Sequence, residues 1–172
     1  PTTSDGHRPS VPTGRGTVTA TRGFTGPLTT IMRVTLSDQD RRFITRFEDE
    51  TGATARDCLV YDDEDRVVFL VAAGEMGQAV GPDGRSVRRV EEALGRTVEL
   101  VEDADTPEAF VANALAPAAV QHVTISEQGD RVAYAEVPDA DRGAAIGRDG
   151  RNIETARRLA HRHYDLDDVQ LT

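Results

Sequence analysis

The sequence predicts an α+β protein built from two copies of one small domain, each running helix, strand, strand, helix, helix, strand. Three observations carry this. The apolar pattern passes through the same order of elements twice. A Gly-x-x-Gly step stands at the same place in each pass, as Gly81-Pro82-Asp83-Gly84 and Gly147-Arg148-Asp149-Gly150. A shift of 66 residues also pairs Gly77 with Gly143, Ala79 with Ala145, Val80 with Ile146, Arg85 with Arg151 and Val87 with Ile153.

The elements follow in order. From Ser37 the pattern is helical: Phe43, Ile44 and Phe47 share a face, Ser37 and Asp40 are spaced for a cap, and Gly52 stands past the end. Cys58 to Tyr61 and Arg66 to Ala72 read as a hairpin across the acidic turn Asp62-Asp63-Glu64-Asp65. A short helix over 75–80 enters the first glycine step. A longer one presents Val87, Val90, Ala93 and Leu94 and stops at Gly95, before a strand over 97–101. In the second pass Thr106 caps and Pro107 opens a helix that ends by Pro117. A hairpin of 120–126 and 131–137 follows, then a short helix from Arg142 into the second glycine step. The last helix presents Ile153, Ala156, Leu159, Ala160 and His163 on one face, with His163 expected to be partly buried at its end, and Val169 to Leu171 close as a strand. The predicted domains are 32–103 and 104–172. Residues 1–31, of which 20 are Thr, Gly, Pro or Ser, are expected to be a disordered tail or a non-native leader ahead of Met32.

Composition excludes several functions. All 20 basic residues among the 172 are arginine, so no lysine is present for a P-loop, a Schiff base or a general base. The single cysteine, Cys58, can form neither an internal disulfide nor a multi-cysteine zinc cluster and reads as core. No apolar run reaches a membrane-spanning length, so a cytoplasmic protein is expected. Thirty acidic residues give a net charge of −10, the surface expected of a cell that keeps molar salt inside. The acidic turn at 62–65 lacks the spacing of a calcium loop, and His161 and His163 diverge on a helix. Neither a metal, a cofactor nor an enzyme activity is expected.

The chemistry points to the glycine steps. Glycine lets a phosphate chain approach closely, and the amides opening the next helix face the anion with the helix dipole behind them. The run Ala145-Ile-Gly-Arg-Asp-Gly-Arg-Asn-Ile-Glu-Thr-Ala-Arg-Arg-Leu-Ala160 resembles the second KH domain of NusA transcription factors. Ala79-Val-Gly-Pro-Asp-Gly84 with Val90-Glu-Glu-Ala-Leu-Gly95 and Val98-Glu-Leu-Val-Glu102 resembles the first KH domain of the short archaeal form, and Asn113-Ala-Leu-Ala-Pro117 its joining segment. The resemblance implies two tandem type II KH domains in a monomeric, archaeal, salt-adapted factor of transcription elongation or termination. Its partner would be single-stranded RNA, with RNA polymerase as a second candidate. A KH protein of ribosome assembly or RNA turnover is the alternative. The bacterial form's polymerase-binding region and S1 domain have no match in this sequence.

The two loops are not equal. The second carries Arg148 between its glycines, whereas the first offers Pro82 and Asp83. From Asp141 to His163 six arginines face three acids, whereas Gly74 to Arg96 holds four of each. The second domain is therefore expected to be the stronger site. The expected RNA-binding residues are Gly147, Arg148, Asp149, Gly150 and Arg151, with Gly81, Pro82, Asp83, Gly84 and Arg85 in the first loop, and Arg157 and Arg158 on the last helix. On charge patterning alone those last two fit a solvated helix face equally well.

Overall fold

Local caps set the ends of the first helix. In the computed structural model, which describes residues 36–172, α1 (Asp38–Thr51) starts behind a reciprocal capping box. The Ser37 hydroxyl accepts from the Asp40 amide, and the Asp40 carboxylate accepts from the Ser37 amide. Gly52 ends it in the left-handed region at φ 74°. The expected tail and the start at Met32 lie outside the described residues.

β1 (Ala55–Tyr61) and β2 (Arg66–Val71) form an antiparallel hairpin across a 3-10 turn at Asp62–Glu64. β1 begins earlier than the apolar pattern suggests, because Asp57 is fully buried and a carboxylate reads as a break in such a pattern. α2 (Met76–Val80), the first glycine loop and α3 (Arg85–Leu94) lead into β3 (Thr97–Glu102), which joins β2 in parallel. The second unit repeats this with α4 (Pro107–Ala114), β4 (His122–Ser126), β5 (Val132–Glu136), α5 (Arg142–Ile146), α6 (Arg151–Tyr164) and β6 (Asp168–Leu171). The sheet orders are β1-β2-β3 and β4-β5-β6, with matching antiparallel and parallel pairs. The fold is two αββααβ units, the class expected.

Every residue of β2 is buried. Val67, Phe69 and Val71 face the unit's own helices, where Phe47 stacks on Phe69 with ring centres 4.5 Å apart. Val68 and Leu70, with Leu59 and Val101, point the other way and join Phe110, Val111, Ala114 and Leu115 in the core of the second unit. Each of these apolar side chains contributes about 2 kcal/mol by leaving water. A strand covered on both faces explains the unbroken apolar run after Arg66. β5 differs: Ala133 and Ala135 are buried, while Val132, Tyr134 and Glu136 alternate to the outside.

Polar anchors fix this packing. Asp57 accepts from Arg162 Nη2 at 3.0 Å and lies 2.7 Å from His163 Nε2, both near the end of α6. Asp103 accepts from Arg56 at 3.0 Å and from the Tyr164 hydroxyl at 2.6 Å. Burial, and then the bond to Asp103, push the Tyr164 phenol above its ordinary range. Arg66, 3% exposed, is satisfied by Glu64 and Glu99 and stacks 4.1 Å from the Tyr61 ring centre. His163 is partly buried near the end of α6, as its place in the helix pattern leads one to expect, and its ring reaches Asp57 across the junction.

Removing the buried Asp57 carboxylate leaves Arg162 and His163, both partly buried, without their acceptor. Asp57→Ala is expected to cost about 3 kcal/mol in denaturant unfolding and to split one transition into two. A second expectation concerns alkaline pH. Burial, and then the charges of Asp40 and Asp57, push the Cys58 thiol from 9.0 up to about 12. Between those values the folded chain keeps a proton that the unfolded chain loses, so stability falls as pH rises, by up to about 1.4 kcal/mol per unit. Unfolding measured across that window should show a shallower slope in Cys58→Ala, with the Tyr164 share remaining.

Candidate nucleic-acid interface

The two glycine loops share one backbone conformation. Gly81 and Gly147 have φ of 76° and 80°, Asp83 and Asp149 both have φ 54°, and Gly84 and Gly150 have φ 73° and 76°. The third loop position is therefore left-handed in both copies, and aspartate is among the few side chains that tolerate it. This accounts for Asp83 and Asp149 without any contact to a ligand.

The glycines have different duties. A Cβ on Gly147 would lie 2.6 Å from the Asn152 Cβ and 2.7 Å from the Asn152 backbone nitrogen. On Gly81 it would meet Ser86 Oγ at 2.3 Å. The first glycine of each loop thus lets the following helix fold back against the loop. Gly150 has nothing within 4 Å of its Cβ position, so it leaves its outer side clear. Arg88 folds over the first loop, bonding the carbonyls of Gly84 and Asp83.

Beside the second loop runs an open groove of 510 Å³. Ile146, Ile153 and Leu171 give it an apolar floor, and Arg142 and Arg157 stand on its walls. Ile146 is 40% exposed and is the large apolar side chain that the described fold leaves in solvent. On the loop's other side Gly147 and Arg148 line a second cleft, of 550 Å³, together with Glu99 and Leu100 of β3 and Pro117 of the joining segment. Ile146, Leu171 and Arg142 were not among the expected site residues. The alignment of Val80 with Ile146, an apolar residue directly before each loop, is the signal that could have found them.

The helix arginines divide. Arg148 and Arg85 are exposed. Arg151 turns away from the groove, its Nε 3.0 Å from Glu64 of the first unit. Arg158 lies over the Tyr61 ring, 5.0 Å from its centre. Arg157 pairs with Asp168 at 2.9 Å and donates to the Val169 carbonyl, yet still lines the groove. Neither Arg151 nor Arg158 lines the groove: Arg151 reaches the first unit through Glu64, and Arg158, though exposed, lies over a ring of that unit. In the acidic turn Glu64 takes Arg151 across the units, whereas Asp62 takes Arg96 and Glu64 takes Arg66 within the first unit. His161 is exposed on the surface, with Nδ1 3.2 Å from the Leu166 carbonyl oxygen.

Residues 107–171 match the family model of the NusA-like second KH domain, and residues 41–106 match that of the KH domain. The "Probable transcription termination protein NusA" of Halococcus morrhuae is 66% identical over 140 residues, 81% of this chain and 99% of that protein. The chain belongs to the archaeal NusA-like family of tandem KH proteins. The NusA-like chain also aligns with the "Transcription termination/antitermination protein NusA" of Mycobacterium bovis, 40% identical over 91 residues, which is 26% of that longer protein. Among solved structures, the crystal structure of APE1850 superposes with a TM-score of 0.70 at 32% identity, over 80% of this chain and all of that one. No helix among the described residues is long and apolar enough to cross a membrane.

The loop geometry separates two substitutions. Gly147→Ala is expected to cost about 3 kcal/mol, since strain at positive φ adds to a clash with backbone. Gly150→Ala should cost about 1 kcal/mol, from φ alone. Thermal unfolding of the two variants checks the order.

Proposed function

We propose that the chain binds single-stranded RNA and acts as a factor of transcription elongation or termination, holding the sugar-phosphate chain at its Gly-x-x-Gly loops, with the second domain as the stronger site. The groove beside the second loop carries this reading. Its apolar floor of Ile146, Ile153 and Leu171 suits unstacked bases, and Arg142 and Arg157 are placed for phosphates along its edges. The clear side of Gly150 and the exposed Arg148 offer the backbone a close approach and a cation. KH modules recognise single strands in this way, and the names of the relatives place them in transcription termination.

Two features favour the second domain. Pro82 has no N–H, so the first loop lacks both the cation and one amide that Arg148 supplies in the second. Arg88, on the helix that follows the first loop, is already engaged with that loop's own carbonyls. Asp149 and Asp83 serve the loop's conformation, and Gly81, Gly84 and Arg85 form the weaker clamp.

Salt decides how such a site works. At about 1 M salt the screening length is roughly 3 Å, so the distant carboxylates of a chain at −10 hardly repel a strand while groups in contact still act. Counterion release then contributes little, and backbone amides, shape and base contacts remain.

Titration of the full chain with short single-stranded RNA at molar potassium chloride tests this. Gly150→Asp should weaken binding about tenfold or more, and Arg148→Ala should weaken it more than Pro82→Ala. Equal effects of the last two remove the ranking of the domains, and undiminished affinity in Gly150→Asp removes the clamp. RNA crosslinked in native cells should map to nascent transcripts; mapping to pre-ribosomal RNA favours the ribosome-assembly alternative.

A further inference from the structure

We infer that the outer face of α1 and α3 in the first domain docks a second protein, through an acidic surface that also offers aromatic or aliphatic side chains. This face holds a groove of 480 Å³ in which Arg41, Arg42 and Arg46 surround Phe43 and Leu94. The Arg96 guanidinium lies 5.5 Å from the Phe43 ring centre, so a fourth cation borders the apolar floor. Arg96 is already paired with Asp62 at 2.8 Å, but on α1 compensation is thin: Arg41 is 3.9 Å from Asp38 and Arg46 is 3.7 Å from Glu50, both in exposed pairs that contribute little.

The internal repeat supplies the complement. In the second domain the stripe Arg151, Thr155, Arg158 and Arg162 on α6 grips the first sheet through Glu64, Tyr61 and Asp57. The same shift of 66 residues places Arg85, Arg89 and Glu92 along α3 and Arg96 just past its end. Phe43, Ile44 and Phe47 have the spacing of Phe110, Val111 and Ala114, which pack beneath that sheet. The first domain therefore presents a basic, half-apolar helix face whose counterpart is occupied by carboxylates beside a tyrosine ring and aliphatic side chains.

Other occupants fit less well. A second copy would bring its second sheet, but strand register puts His122 there in place of Asp57, Thr124 for Leu59, Ser126 for Tyr61, Tyr134 for Val68 and Glu136 for Leu70. The aspartate anchor and the aliphatic pair are both gone. Residues 1–35 carry four arginines and one aspartate, the wrong sign for this groove. A nucleic-acid strand would meet Asp49 on the rim and no glycine step.

The test uses the isotope-labelled full chain at molar potassium chloride and a random copolymer of glutamate and tyrosine as probe, followed by nuclear magnetic resonance. Saturable shifts confined to residues 41–49 and 93–96 are expected, with polyglutamate binding more weakly. Arg42→Glu with Arg46→Glu should lower the affinity about tenfold without changing RNA affinity. The milder Arg42→Gln with Arg46→Gln gives the same direction should the charge reversal disturb folding. Absence of shifts in this region, unchanged affinity in both variants, equal binding of polyglutamate, or the same residues shifting instead with single-stranded RNA, on self-association or on removal of residues 1–31 would each overturn the proposal.

Discussion

The burial of the first sheet on both of its faces is the constraint on which the rest of the molecule depends. A three-stranded sheet with helices on one side exposes its other side, and here Leu59, Val68, Leu70 and Val101 make that side apolar. It must be covered, and α4 and α6 of the second unit cover it. The charged groups then decide the register. Asp57 sits at the centre of this contact with Arg162 and His163, and Glu64 and Asp103 hold the two flanks through Arg151, Arg56 and Tyr164. Apolar area supplies the affinity between the units, while carboxylates that would be costly if left unpaired fix their orientation.

The two copies have diverged where this contact requires it. The second sheet has no cover among the described residues, and its outward positions are Thr124, Ser126 and Tyr134 rather than leucine and valine. The loops diverged as well. Asn152 stands where the first copy has Ser86, and Arg148 where it has Pro82, so the loop with more hydrogen-bonding capacity is the one beside the joining segment.

Much of the fold was legible in the sequence because its determinants are local. The capping box at Ser37 and Asp40, the stop glycines and the doubled order of elements depend on neighbours in the chain, and each appears where the pattern places it. The early start of β1 was hidden because a buried aspartate is explained by Arg162 and His163, some hundred residues away. For the same reason charge patterning left the roles of Arg157 and Arg158 open. Whether an arginine faces solvent, a ligand or a partner domain depends on what packs opposite, which no single helix encodes. The glycine loops were found by spacing, but the separate duties of Gly147 and Gly150 rest on where a missing Cβ would point, which is a property of the folded loop alone.

Asn152 links these levels. Its side-chain amide nitrogen lies 3.2–3.3 Å from four carbonyl oxygens, those of Leu115 and Ala116 after α4 and those of Ala144 and Ala145 at the end of α5. One carboxamide thus pins together the hinge between the units, the helix entering the second loop and the helix leaving it. The loop cannot tilt without surrendering bonds at that hinge, so its stiffness is borrowed from the seam between the two lobes rather than made by its own four residues.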